Sequence, residues 1–349
     1  MLNSVPNLSY LKGMTDEEIR AGIVEKGETI IKRAFPGKWV KATGLADALE
    51  QTGCMFEVEK HPLMSANHVA TKECPSGLVN DSVGIDESLT EFVATKRTDT
   101  MKALSVVGKD YGVVQTMHGA EALDILSKRG ELDIVNVESI GGGARIRITA
   151  LLGVGSFPQF DGAPNTLANF AVFEVCHDGR HSNLYNLYTL RLDCFNGMTS
   201  RQHVSSHKLK HTSRAVDRVD AITADILATL LGDVEAEMEM FKALAARRMS
   251  VTDFEAFATE LLGGEIQEDA TDSKKTRREN EMKELVEYFE GGNQGAGPTA
   301  YGAYNSVTRW VEAKKEAMAD AAKFAKKFES NTNGSNQNKV AKALELLTR

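Results

Sequence analysis

Residues 132–152 read LDIVNVESIGGGARIRITALL, two apolar runs that flank the consecutive glycines 141–143. After the glycines, apolar and polar side chains alternate, which is the pattern of a β-strand with two different faces. A strand and not a helix follows, so the glycines are interpreted as a hairpin turn rather than as a phosphate-binding loop. The stretch therefore predicts two antiparallel strands, 132–137 and 145–152.

The same strand pattern recurs on both sides of this hairpin. Further strands are predicted at 55–62, 104–107, 111–116, 170–176, 184–192 and 203–211. Turn dipeptides, Asp178-Gly179 and Asn196-Gly197, lie between the later ones. Strands joined by short turns are antiparallel, because parallel neighbours need a long crossover connection. A helix is predicted at 120–128, with Gly130 in the usual position after its C-terminus.

A long amphipathic helix is predicted directly after the sheet. Apolar residues recur at spacings of three and four from Ala215 to Leu231, a stripe that can cover one face of a sheet. The fold class is therefore α+β, an antiparallel β-meander backed by a long helix, with C-terminal helices. The predicted units are an N-terminal segment at 1–40, the α+β core at 41–232, an acidic helical region at 233–330 with a glycine-rich loop at 291–298, and a linker and short terminal helix at 331–349.

The composition is that of a globular protein without a membrane segment. The chain has 349 residues, of which 42% are hydrophobic and 26% charged, so a sizeable core is expected. The start of the sequence lacks the pattern of a secretory signal, and no long apolar run predicts a membrane span. The four cysteines form no CxxC pair, which favours reduced thiols and a cytoplasmic location.

Residues 177–218 carry positive charge in an acidic chain. Seven Lys and Arg face three Asp there, a balance of plus four, whereas the whole chain carries minus eight. Five of the eight histidines also lie in this segment. Such a basic island predicts an anion-binding surface, and nucleic acid is the most common large anion. The alternative is an ordinary solvated face of a sheet.

Alternation along the strands places several cations and one aromatic ring on a single predicted surface. With the apolar face under the helix, the opposite face is expected to point outward. Cations there would follow phosphates, and a stacked aromatic ring contributes roughly 1–3 kcal/mol per base. The candidate phosphate contacts are Arg145, Arg147, Arg191, Arg201, Lys208, Lys210 and Arg214, and the candidate stacking residue is Tyr185.

The histidines offer a second hypothesis, a metal-dependent nuclease or hydrolase. His203, His207 and His211 are spaced by four residues, but the alternation around them favours a strand, in which this spacing does not cluster ligands. The sequence contains no HExxH, no GxSxG, no Walker-type loop and no GxGxxG after a strand. We therefore predict neither catalysis nor a cofactor.

Several motifs resemble a family of phage and plasmid proteins known as domain of unknown function 932. The matching segments are 45–50, 56–63, 106–111, 114–115, 142–145, 177–179, 189–196, 210–212, 292–293 and 300–308. They occur in family order. The chain departs from the family pattern at Cys194-Phe195-Asn196, where the family reads Val-Cys-Asn, and it lacks the Asp-His pair after Val311-Glu312.

The resemblance implies a mobile-element context, in which recombination, replication and defence are the usual tasks. The order of meander and long helix also resembles the core of phage single-strand annealing proteins, which form rings, hold single-stranded DNA and hydrolyse no nucleotide. The leading hypothesis is thus an oligomeric protein that anneals or protects single-stranded DNA. A third hypothesis, a host-takeover or virion component, uses the acidic helices to bind a protein partner.

Overall fold

The three glycines at 141–143 form the turn between strands β5 (Asp133–Ile140) and β6 (Arg145–Pro158). All three have positive φ, 63°, 73° and 104°, a region that glycine enters without strain. The strands continue as an antiparallel meander through β7 (Pro164–Cys176) and β8 (Asn183–Arg191). The predicted hairpin and antiparallel sheet are therefore confirmed.

The computed structural model describes residues 14–28, 31, 35–63, 91–158, 160, 162, 164–192, 199–200, 206–212, 216–217, 219–267, 269–291, 296–313 and 335–349. The other strands are β1 (Lys38–Trp39), β2 (Val58–Pro62), β3 (Phe92–Arg97), β4 (Ala103–Gly108), β9 (Thr199–Ser200) and β10 (Ser206–Leu209). The helices are α1 (Asp16–Lys26), α2 (Leu45–Thr52), α3 (Thr116–Gly119), α4 (Glu121–Lys128), α5 (Val219–Ala246), α6 (Val251–Leu261), α7 (Asp272–Glu290), α8 (Ala300–Ala313) and α9 (Ser335–Thr348).

The strands form two sheets. The main sheet has the order β1-β5-β6-β7-β8-β10, with β9 also beside β8, and a smaller antiparallel sheet has the order β2-β3-β4. Arms β6 and β7 are longer than predicted, because 153–158 and 164–169 continue the pairing past an irregularity between Leu151 and Gly153. The two strands therefore extend to Pro158 and from Pro164.

The predicted strand at 111–116 is wrong. Residues 111–115 have no regular structure, and α3 begins at Thr116. The side-chain amide of Gln115 accepts from the Val58 N–H and donates to the Val58 carbonyl, both at 2.9 Å. The Gln115 side chain thus binds residues 111–115 to β2, where a strand would use its backbone. The alternation of apolar residues alone does not distinguish such a segment from a strand.

Helix α5 covers one face of the main sheet, as the apolar stripe predicts. Val219, Leu227 and Leu230 on the helix share a buried cluster with Ile148 and Phe173 on the strands. The helix continues beyond the predicted stripe to Ala246. The α+β arrangement is therefore confirmed.

The opposite face of the main sheet is also buried, against expectation. Phe35 contacts Phe170 and Tyr188 on this face, with ring centroids 5.0 and 6.1 Å apart. Ile19 and Ile23 of α1 belong to the same buried cluster. A sheet with apolar residues on both faces needs a cover on each, so the prediction of one outward polar face is wrong over this part of the sheet.

The C-terminal helices pack into a separate aromatic core. Phe254 of α6 stacks on Phe289 of α7, with ring centroids 4.2 Å apart, and Trp310 of α8 is 1% exposed. The part of the predicted helical region that follows the glycine-rich loop is described as far as Ala313, and 314–328 lie outside the described residues. The terminal helix is observed as α9. Among the helices described, none has both the length and the apolar character that crossing a membrane requires.

Candidate nucleic-acid interface and histidine cluster

Arg145 and Arg147, two of the predicted phosphate-binding residues, form ion pairs with carboxylates instead. Arg147 is 2% exposed, and its guanidinium lies 2.5 Å from Glu138 Oε2 and 2.7 Å from Glu174 Oε2. Arg145 lies 3.1 Å from Glu174 Oε1 and 3.8 Å from Asp178 Oδ2. Burial raises the pKa of Glu138, although the arginine charge opposes that shift. The expectation that Arg147 faces outward is wrong.

Tyr185 and Arg191 are buried beneath helices. Tyr185 is 0% exposed, and its ring contacts Phe173 edge to face with centroids 4.6 Å apart. Arg191 is 1% exposed, and its guanidinium lies 5.7 Å from the ring centroid of Tyr301. The expectation that these side chains face outward is therefore wrong, and in this conformation a base cannot stack on Tyr185.

A signal of this burial is present in the sequence of β8. Both of its alternating faces carry apolar residues, Leu187 on one and Leu184 and Leu190 on the other. A strand with apolar residues on both faces is typical of a sheet covered on both sides. All nine residues of β8 are buried.

Two of the predicted cations are accessible, Lys208 on the edge strand β10 and Lys210 just after it. Both side chains are exposed. Within the described part of the chain, neither makes an ion pair or hydrogen bond. Arg201 and Arg214 lie outside the described residues. The accessible positive charge of the described basic segment is therefore concentrated at the β10 edge and at Arg180, which is also exposed.

A cluster of histidine and tyrosine side chains lies at this end of the main sheet. His177 is 0% exposed, and its Nε2 lies 3.3 Å from Thr116 Oγ1. His211 Nδ1 lies 3.1 Å from the carbonyl oxygen of Gly112, and its ring stacks on Tyr111. Burial lowers the pKa of His177 to about 4 and also lowers the pKa of His211. Both imidazoles are thus neutral near pH 7. We call the side chains of His177, His211, Tyr111 and Thr116 the histidine cluster.

Four segments that carry the family resemblance meet at the histidine cluster. The His177 N–H donates to the Ala144 carbonyl at 2.7 Å, and the Tyr111 hydroxyl donates to the Cys176 carbonyl at 3.2 Å. Gly179, with φ +66°, lies so close to β4 that a Cβ atom there would lie 2.4 Å from Val107 Cγ1. Residues far apart in the sequence therefore form one structural unit.

The geometry does not assemble the hypothesised metal site from the residues described. Among them, no group of three or more His, Cys, Asp and Glu side chains is placed to hold a metal ion. His207 and His211 are described, whereas His203 lies outside the described residues. Each of the two described imidazoles has a buried Nε2 without a hydrogen-bond partner in the described structure.

A second buried polar group was not predicted from the sequence. Glu237 of α5 is 3% exposed and bonds through Oε2 to the Thr189 hydroxyl, which lies 2.7 Å from Asn169 Oδ1. Burial raises the pKa of Glu237 to about 8, so this carboxyl is mostly protonated at pH 7. Position 237 follows Leu230 by seven residues and precedes Phe241 by four, which places it on the apolar stripe of the helix. A glutamate on the apolar stripe of a helix is thus the sequence feature that predicts a buried carboxyl at position 237.

Residues 103–341, more than half of the chain, match the family described as Domain of unknown function (DUF932). No curated protein and no solved structure matches the sequence.

Proposed function

The chain belongs to the family described as Domain of unknown function (DUF932), and from that premise we propose that it binds single-stranded DNA. The proposed role is to anneal or protect strands in recombination or replication, as a cytoplasmic homo-oligomer that hydrolyses no nucleotide. The observation that carries the proposal is the pair of exposed lysines, Lys208 and Lys210, at the β10 edge, which pair with no carboxylate among the described residues.

The difference between paired arginines and exposed lysines on the sheet supports the β10 edge as the place where the phosphate backbone binds. Arg147 is enclosed by Glu138 and Glu174, so moving it to a phosphate would break two ion pairs that are largely shielded from water, at a cost of several kcal/mol. Lys208 and Lys210 can bind a phosphate without breaking an ion pair within the described structure. We therefore place the proposed contacts on these lysines and withdraw Tyr185 as the stacking residue.

The fold gives weaker support. An antiparallel meander followed by a long helix resembles the core of phage strand-annealing proteins, but a shared arrangement does not establish a shared function. This resemblance only raises the expectation of ring-shaped oligomers.

The proposal is tested by fluorescence anisotropy with a labelled single-stranded oligonucleotide, at several salt concentrations and with a duplex control. The double variant Lys208→Ala/Lys210→Ala should bind more weakly. Each phosphate contact with a single strand contributes roughly 0.7 to the slope of log affinity against log salt. The slope should therefore decrease by about 1.4 in this variant.

A matched control removes two lysines that are also exposed but lie on the helices. Lys242→Ala/Lys283→Ala changes the net charge equally, so it should leave affinity and slope near the wild-type values. Equal weakening by both double variants would show that only net charge matters. Absence of binding to any single strand at low salt contradicts the proposed function.

A further inference from the structure

We propose that the groove between α6 and α7 is a docking site for a basic amphipathic helix of a partner protein. The groove has a volume of about 660 Å³. It lies on the helical half of the chain, and its residues are separate from β10 and from the histidine cluster. The inference therefore does not depend on DNA binding.

The floor of the groove is apolar, and its rim is acidic. Ile266, Met282 and Val286 supply apolar surface and are only partly buried. The acidic lining residues are Glu255, Glu265, Glu279, Glu287 and Glu290. Against these five carboxylates stand two cations, Arg278 and Lys283, a balance of minus three.

Each of the two cations in the lining already has a partner within the groove. Arg278 Nη2 donates to the Gly264 carbonyl at 3.1 Å, and Lys283 Nζ lies 3.9 Å from Glu287 Oε1. The other four carboxylates of the lining form no ion pair within the described part of the chain. Uncompensated carboxylates around an apolar floor attract a ligand that carries positive charge beside an apolar face.

Helix α7 has little packing on the side that the groove exposes. Of its 19 residues, only Leu285 and Phe289 are buried. The first ten residues, from Asp272 to Glu281, contain none that is buried. A helix that leaves partly buried apolar residues beside an open groove provides the receiving surface of helix-in-groove recognition.

These features define the ligand chemically. Its apolar residues would recur at i, i+3 or i+4 and i+7 to contact Met282, Val286 and Ile266. Its lysines or arginines would flank that stripe and face the glutamates. An acidic or non-amphipathic helix fits neither feature.

The test uses the full chain and a fluorescent synthetic peptide of leucine and lysine in which the leucines share one helix face. A second peptide has the same composition with the leucines spread around the helix, and a third has glutamate in place of lysine. Only the first should bind tightly. Glu255→Lys/Glu279→Lys should weaken its binding by at least about tenfold, equivalent to about 1.4 kcal/mol.

Two further variants separate the groove from general charge attraction. Glu25→Lys/Glu235→Lys reverses the same number of exposed carboxylates on α1 and α5 and should change affinity less than about twofold. Met282→Gln keeps the charge and should weaken binding through the floor alone. Equal binding of the three peptides, or equal losses in the rim and control variants, would overturn the proposal. Circular dichroism of every variant checks that it is folded.

Discussion

The ring of Tyr111 stacks on the imidazole of His211, with centroids 4.6 Å apart and planes inclined by 23°. The contact joins the segment after β4 to the end of β10. Gly112 strengthens it, because its N–H donates to the His211 carbonyl at 3.1 Å while His211 Nδ1 donates to the Gly112 carbonyl at the same distance. A carbonyl only accepts, so the proton of neutral His211 resides on Nδ1.

Acid should weaken the fold through the buried imidazole of His177. The unfolded chain protonates a histidine near pH 6.5, whereas burial lowers the folded pKa of His177 to about 4. The contribution of the neutral His177 imidazole to the free energy of unfolding is therefore complete above pH 6.5. It decreases as the pH falls toward 4, by at most about 1.4 kcal/mol per pH unit. Urea unfolding at about pH 7 and about pH 5 measures this decrease.

The variant His177→Gln should depend less on pH than the wild type over that interval, even if it is less stable throughout. His118 is exposed, so His118→Gln provides the matched control and should retain the wild-type dependence. An unchanged dependence in His177→Gln would assign the acid sensitivity to other groups.

The sequence predicts the meander and α5 because local signals specify them. Gly141 to Gly143 determine a turn, and the apolar stripe from Ala215 to Leu231 determines a helix face. The partners of Arg147 are not local, because Glu138 and Glu174 reach it from two other strands through the pairing register. Alternation identifies which residues share a face but does not reveal what covers that face. For this reason the buried ion pairs were predicted as an open cationic surface.

Replacing Glu237 with glutamine should stabilise the protein at alkaline pH. The folded pKa of Glu237 is raised to about 8 from an ordinary value of 4.5. The stability contribution of the protonated carboxyl is complete below pH 4.5 and is lost as the pH rises to 8, by at most about 1.4 kcal/mol per unit. Glutamine does not titrate, so the advantage of Glu237→Gln over the wild type should grow between about pH 5 and pH 8.

Chemical denaturation across this pH range measures the effect. Glu235 is exposed on the same helix, and Glu235→Gln should change stability by less than about 0.5 kcal/mol at every pH. If the free energies of unfolding of Glu237→Gln and the wild type change with pH by the same amount, the Glu237 carboxyl is already ionised in the folded state.

Removing the guanidinium of Arg147 should strongly destabilise the sheet. Arg147→Met removes the cation that pairs with Glu138 and leaves the buried Glu174 with Arg145 as its partner. Breaking a buried pair from one side costs about 3–5 kcal/mol. Adding Glu138→Gln should recover part of the loss, because the carboxylate that lost its arginine partner is then removed. Arg129 is exposed and lies 3.9 Å from Glu131, so Arg129→Met should cost at most about 1 kcal/mol. Similar losses of stability in Arg147→Met and Arg129→Met would contradict a structural role for the ion pairs of Arg147.

Tyr185 distinguishes a core residue from a base-stacking one. Its buried hydroxyl lies near the Asn183 side chain but makes no hydrogen bond of normal geometry in the described structure, so Tyr185→Phe should be nearly neutral. Tyr185→Ala removes the ring that contacts Phe173 and should cost about 3–5 kcal/mol, as for other large aromatic residues in cores. If the proposed contacts at Lys208 and Lys210 are correct, Tyr185→Phe should bind single-stranded DNA as the wild type does. A selective loss of DNA affinity in this folded variant would return Tyr185 to the interface and require the sheet to open on binding.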